Sequence, residues 1–196
     1  MSARLPEIAF DEESHTYRVA GRVVPNVTRI LEPLCNWEMV PADILDRKCE
    51  LGRAVHLATY FHDKGTLDEA SLSGEVRGYL EGWRRFRREM NPVLLNRERK
   101  VYHPDRGYCG TLDVEMMLDG LAIADIKSGV KSRVHGVQIA AYADARRREE
   151  GWAIYPKRLG IYLSADGRYE LVPYLNPADY ATFVSALNIW NWRNAR

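Results

Sequence analysis

The chain is short of cysteine, of long apolar runs and of any excess of one charge. Its three cysteines, Cys35, Cys49 and Cys109, are odd in number and show no C-x-x-C spacing. That usage suits a reducing compartment and speaks against a zinc site or an iron–sulfur cluster. No apolar run approaches the roughly 20 residues that a membrane-spanning helix needs. The opening stretch "MSARLPEIAFDEES" lacks the apolar core of a secretion signal. The expectation is a cytoplasmic protein with no membrane partner. Lys plus Arg at 28 against Asp plus Glu at 27 leaves a formal net charge of +1, so global charge announces no polyanionic ligand. It excludes none either, because local acidic and basic clusters cancel in the sum. Low-complexity tracts and internal repeats are also absent.

What is present is an ordinary globular composition, 46% hydrophobic and 28% charged over 196 residues, enough for one well-buried core. Residues 8 to 25 alternate polar and apolar positions around Ala20-Gly21 and predict a small β-hairpin. "NVTRILEPL" predicts a short helix capped by Asn26 or Thr28 and ended by Pro33. Apolar residues at helical spacing predict helices over 41 to 64, 73 to 90 and 134 to 150, and another after Pro177. Strands are expected over 93–103, 108–117, 121–127, 157–163 and 168–174. This order predicts an α/β fold, a mixed sheet with helices on both faces.

The stretch "GTLDVEMMLDGLAIADIKSG", residues 110 to 129, places acids and a lysine among strand-forming apolar residues. Alternation puts Thr111, Asp113, Glu115 and Met117 on one side and Leu112, Val114 and Met116 on the other. On the following strand Ile123, Asp125 and Lys127 share a side. A two-residue Asp119-Gly120 turn would throw Asp113 and Asp125 onto opposite faces. A three-residue Leu118-Asp119-Gly120 loop pairs Met117 with Leu121 and Asp113 with Asp125, and it makes the two apolar sets coincide. The second register is therefore expected. It sets two carboxylates about 4.5–5.5 Å apart at Cβ, a destabilising arrangement unless a cation lies between them. A hard dication that prefers oxygen ligands is the economical choice.

"GTLD" at 110–113, "DIK" at 125–127 and "QIAAY" at 138–142 together resemble the ordered motifs of the PD-(D/E)XK nuclease superfamily. With "LGRAVH" at 51–56 ahead of them, the set is similar to the RecB-like exonuclease branch. The leader "HTYRVAGRVVPNVTRIL" looks like that of its phage-type members. The resemblance implies a restriction-endonuclease-like core over 41–196, with 1–40 as an N-terminal hairpin and short-helix elaboration of a single nuclease domain. It implies that Asp113, Asp125 and the carbonyl of Ile126 ligate magnesium or manganese, and that Lys127 is the catalytic lysine. His56 and Glu98 would serve the metal site, and Gln138 and Tyr142, one helical turn apart, would contact substrate.

The activity implied is metal-dependent hydrolysis from DNA ends, leaving 5′-phosphates, in recombination, repair or phage DNA processing. DNA is the expected partner, with a recombination or helicase protein alongside, since the chain has no P-loop of its own. One alternative is a structure-specific or restriction-like endonuclease on the same fold. A second is a nucleic-acid- or partner-binding protein without turnover. The clusters "RRFRR" at 84–88 and "RRR" at 146–148 are candidate phosphate contacts, although acids beside them favour a solvated face for each residue. "WNW" at 190–192 is expected in the core rather than stacked on bases.

Overall fold

The structure, a computed structural model, describes residues 6–35 and 41–195; part of the expected N-terminal elaboration therefore lies outside the described residues. Three short antiparallel strands open the chain: β1 (Ile8–Asp11), β2 (Thr16–Val19) and β3 (Arg22–Val24), in the order β1-β2-β3. The expected turn at Ala20-Gly21 is there, both residues with positive φ, as a tight hairpin turn requires. The difference from a single hairpin is the added strand β1. Asp11 Oδ1 accepts from the Ser14 amide at 3.0 Å, folding residues 12–15 back in an Asx-type turn that a period-two pattern does not reveal.

Helix α1 (Val27–Leu31) starts at Asn26, whose side chain accepts from the Arg29 amide at 2.9 Å. Asn26, not Thr28, is thus the cap. Pro33 sits within a further 3₁₀ turn, Glu32–Leu34, rather than stopping the chain at once. Helices α2 (Ala42–Lys64) and α3 (Gly74–Met90) follow, closed by left-handed Gly65 and Asn91.

Strands β4 (Val93–His103), β5 (Tyr108–Met117), β6 (Leu121–Lys127), β7 (Lys157–Leu163) and β8 (Tyr169–Pro173) form one sheet in sequence order. All neighbours are antiparallel except β6 and β7, which are parallel and joined through α4 (Arg133–Glu150). Helix α5 (Asp179–Asn194) closes the chain. Val114, Met116, Ala124 and Ile126 pack under Leu80, Trp83 and Phe86 of α3. The other face packs Val101 and Ile123 against α1, α4 and α5. The predicted two-sided cover is therefore observed.

The β5–β6 connection is the three-residue loop. Met117 faces Leu121 and Val114 faces Ala124; the Leu118 amide bonds the Gly120 carbonyl at 2.8 Å, and Gly120 takes φ 105°. One expectation fails on β5. Leu112 packs in the cluster beneath α4, whereas Val114 packs in the cluster beneath α3, so the alternation breaks between them. Opposite the break stands Glu98 on β4, bracketed by the pairs Arg97–Val114 and Arg99–Leu112. Its φ of 49° is a left-handed conformation that non-glycine residues seldom adopt, and it turns the strand pair. Asp113 lies at the point where the faces exchange.

Candidate metal centre

Three strands and one helix supply the charged residues. Glu98 on β4, Asp113 on β5 and Asp125 on β6 follow one another across the sheet, and His56 reaches them from α2. His56 Nδ1 lies 3.6 Å from Asp113 Oδ1 and 3.7 Å from Glu98 Oε1, while Nε2 is 3.0 Å from the Ile126 carbonyl. One donor atom each from His56, Glu98 and Asp113 falls within 4.8 Å of the others. Asp113 Oδ2 accepts from the Ile126 amide at 2.7 Å, which aims the carboxylate. Glu98 Oε1 is buried with no hydrogen-bond partner among the described residues. Such an orphaned oxygen calls for a ligand.

The helix bearing His56 is held by buried charge. Arg97, next to Glu98, donates to Thr59 Oγ1 at 3.0 Å, and Thr59 in turn donates to the His56 carbonyl at 2.9 Å. Arg97 also pairs with Asp63 near the end of α2 at 3.2 Å, and Asp63 accepts from Trp83 Nε1 and Arg87 of α3. These contacts register α2 against β4, and so His56 against Glu98.

On the other side, Asp125 forms an ion pair with Lys127. Lys127 Nζ donates to Gln138 Oε1 at 3.1 Å, and Gln138 Nε2 donates to the Tyr142 hydroxyl at 3.1 Å. The Tyr142 ring lies against Gly110 so closely that a Cβ there would stand 2.4 Å from Cε1. The glycine of "GTLD" and the tyrosine of "QIAAY" are therefore halves of one contact. Every predicted site residue, from His56 and Glu98 to Gln138 and Tyr142, is brought to this one region.

Electrostatics mark the region as short of positive charge. Burial raises the Asp113 carboxyl above its ordinary range, and the neighbouring Asp125 and Glu98 raise it further against the opposing pull of His56 and Lys127. Burial by itself would lower His56, but Asp113, Glu98 and Asp125 more than offset this and lift it to about 9. Burial likewise works against charged Lys127, and Asp125 and Asp113 reverse the effect. Three carboxylates thus face His56 and Lys127, with Arg97 also in reach of Asp113 and Glu98 but paired to Asp63. A hard divalent cation fits this donor set of oxygens and one imidazole.

Sequence reasoning did not find His135, Tyr162 and Tyr174. His135 Nδ1 meets the Tyr162 hydroxyl at 2.6 Å, which meets that of Tyr174 at 2.5 Å, and Tyr162 is the cross-strand partner of Lys127. Burial, with help from Lys127, lowers His135 to about 4, so it is neutral near pH 7. The available signal was His135 lying three and seven residues before Gln138 and Tyr142, hence on their helical stripe. Most arginines of the basic clusters pair with acids, and Arg85, Arg88 and Arg148 stand exposed, in keeping with the expected solvated face. Arg146 is buried against Glu115, Glu149 and Glu150, while Arg147 and Arg148 pair with Asp144 and Asp105. Arg84, Arg85 and Arg87 pair with Glu69 and Glu81, Glu89, and Asp63 respectively. In "WNW", Trp190 packs partly on the core, but Trp192 is exposed.

No protein-family model matches the chain. No curated protein matches it either. Among solved structures it is similar to LHK-Exo in complex with dAMP, at 14% identity and a TM-score of 0.41, over 87% of each chain. It is also similar to SSO0001, at 15% identity and a TM-score of 0.36, over 72% of this chain and 71% of that one. Likeness this distant carries no argument about chemistry. No helix among the described residues is long and apolar enough to cross a membrane.

Proposed function

We propose that this chain is a divalent-metal-dependent nuclease that hydrolyses phosphodiester bonds in DNA from the ends of the strand. The observation that carries the reading is the convergence of His56, Glu98 and Asp113 beside the Asp125–Lys127–Gln138 chain. Asp113, Asp125 and Glu98, with His56 and the Ile126 carbonyl, are the groups that would hold magnesium or manganese. A metal bound there supplies Lewis acidity to the phosphate and lowers the pKa of water. Lys127 keeps its proton in this setting, so it orients a nucleophilic water and steadies negative charge growing on the phosphate oxygens. Gln138 holds the lysine ammonium through its amide oxygen, and Tyr142 holds the amide nitrogen. The chain Tyr142–Gln138–Lys127 thereby fixes the cation before substrate arrives, as preorganised catalysis requires. The products are a 5′-phosphate and a 3′-hydroxyl.

The test is cleavage of end-labelled linear and circular DNA, single- and double-stranded, with magnesium or manganese. Wild type is compared with Asp125→Ala and Lys127→Ala. Metal-dependent loss of linear substrate, abolished by both substitutions, is the expected result. Cutting of a single-stranded circle would reassign the chain as an endonuclease. A folded wild type that cuts none of these with either metal overturns the proposal.

A further inference from the structure

A cavity of about 330 Å³ opens between the N-terminal sheet, the start of α1 and the C-terminal end of α5. His15, Tyr17 and Arg29 line it from one side, and Trp190, Asn191 and Asn194 from the other. Its volume lies at the small end of ligand pockets, roughly 300–1,000 Å³, and suits one nucleotide rather than a large ligand. No acidic side chain is among its lining residues.

Its cation is one of several exposed arginines, Arg88 and Arg106 among them, that no carboxylate holds among the described residues. Most arginines of the two basic clusters pair with carboxylates, some of them at the surface, such as Glu81, Glu89 and Asp105. Arg29 is exposed and has no carboxylate partner among the described residues. Across the cavity, Trp190 rests partly on the core beside Phe183 and Leu187, so its ring is supported rather than free to swing. An indole, a guanidinium with no carboxylate partner and amide side chains lining one cavity are groups that can bind a base by its face and a phosphate by its charge.

One buried residue links the cavity wall to the strand that carries Asp113. Tyr17 is part of its wall, and its hydroxyl meets Thr111 Oγ1 at 2.7 Å. Thr111 is two residues from Asp113 on β5, about 7 Å along the strand.

We propose that this cavity binds one nucleotide of a single nucleic-acid strand outside the metal cluster, Arg29 taking a phosphate and Trp190 a base. The assignment rests on the nuclease reading for its purpose, but not for its detection. The probe is a fluorescein-labelled oligothymidylate of about 12 nucleotides, within the range of single-strand site sizes. Binding to the full chain is measured in EDTA against salt concentration, for wild type, Arg29→Ala and Trp190→Phe. Arg29→Ala should weaken binding about tenfold and lower the slope of log affinity on log salt by about 0.7, one phosphate contact on a single strand. Trp190→Phe keeps a packing ring at the core and should weaken binding less, with an unchanged slope. In magnesium, Arg29→Ala should raise KM while kcat is retained.

Unchanged affinity and slope in Arg29→Ala overturn the pocket, whether or not the chain cuts DNA. Stronger competition by an acidic peptide than by unlabelled oligothymidylate overturns it too. Arg29-dependent binding by a wild type that never cleaves would leave the pocket standing and sink the nuclease reading alone.

Discussion

Glu115 and Asp113 stand two residues apart on β5, each nearly inaccessible at 2% and 6%, and the chain treats them in opposite ways. Glu115 receives a two-pronged guanidinium from Arg146, with both contacts at 3.0 Å, and an Asn96 amide at 3.0 Å. Arg146 is completed by Glu149 and Glu150 and stacks over Trp152. Asp113 receives one backbone amide, and its charged neighbours include two more acids, Glu98 and Asp125. One buried carboxylate is gripped by a two-pronged guanidinium, and the other has a looser cation, His56 at 3.6 Å, which it shares with Glu98. The difference separates a structural ion pair from the candidate metal centre. Burial of an acid alone does not distinguish them; the sign of what surrounds it does.

The largest effect should come from breaking the satisfied side. Arg146→Ala leaves Glu115 buried without its counter-charge, and denaturant unfolding should show a loss of about 3–5 kcal/mol. A loss below about 1 kcal/mol would mean that water reaches Glu115 and that the two acids are alike. Gly110→Ala comes next, since its Cβ would drive into the Tyr142 ring. A destabilisation of about 1–3 kcal/mol is expected, with metal-dependent cleavage falling in parallel because Tyr142 holds Gln138. Wild-type activity in a destabilised variant would detach Tyr142 from the site.

Asp113→Asn should act in the reverse direction on stability. It removes one of three clustered acids while an amide oxygen can still accept from the Ile126 amide. The metal-free protein should gain about 1–2 kcal/mol and lose magnesium-induced stabilisation in thermal melts. A metal-free loss instead would show that His56 and Lys127 already balance the acids.

The same imbalance predicts a pH dependence. Asp113 is raised from 3.8 and His56 is raised from 6.5 to about 9, so the folded state holds protons that the unfolded chain releases. Metal-free stability from these groups is full at low pH and is lost as pH rises from about 4 toward 9. Unfolding in EDTA at several pH values should show that decline, flattened in Asp113→Asn. A decline that is just as steep in the variant would place its source elsewhere. The smallest effect belongs to Tyr17→Phe, which removes one hydrogen bond to Thr111 and should cost about 1 kcal/mol.

Much of this is legible in the sequence. The spans of β4, β5 and β6 coincide with the predicted strands, and the loop at 118–120 took the register that apolar matching demands, because a one-residue slip would have turned one strand's apolar set to the opposite face from the other's. The candidate acids and the lysine were readable for the same reason: local alternation and spacing decide which side chains share a strand face. Other features depend on contacts between segments far apart in the chain. Arg146 looked like a surface base because its neighbours in sequence are charged, and only the packing of α4 on β5 sets it against Glu115. Glu98 entered the metal site only through the family resemblance; its turn to φ 49° and its approach to His56, 42 positions earlier by the numbering, depend on how α2 docks. The cavity joining Arg29 to Trp190 is likewise made by the two ends of the chain meeting. Sequence by itself determined the elements, the hairpin register and which residues could carry the chemistry. Tertiary structure decided which charges are cancelled, since Coulomb energy depends on distance and burial in space, to which neighbours in sequence are a poor guide.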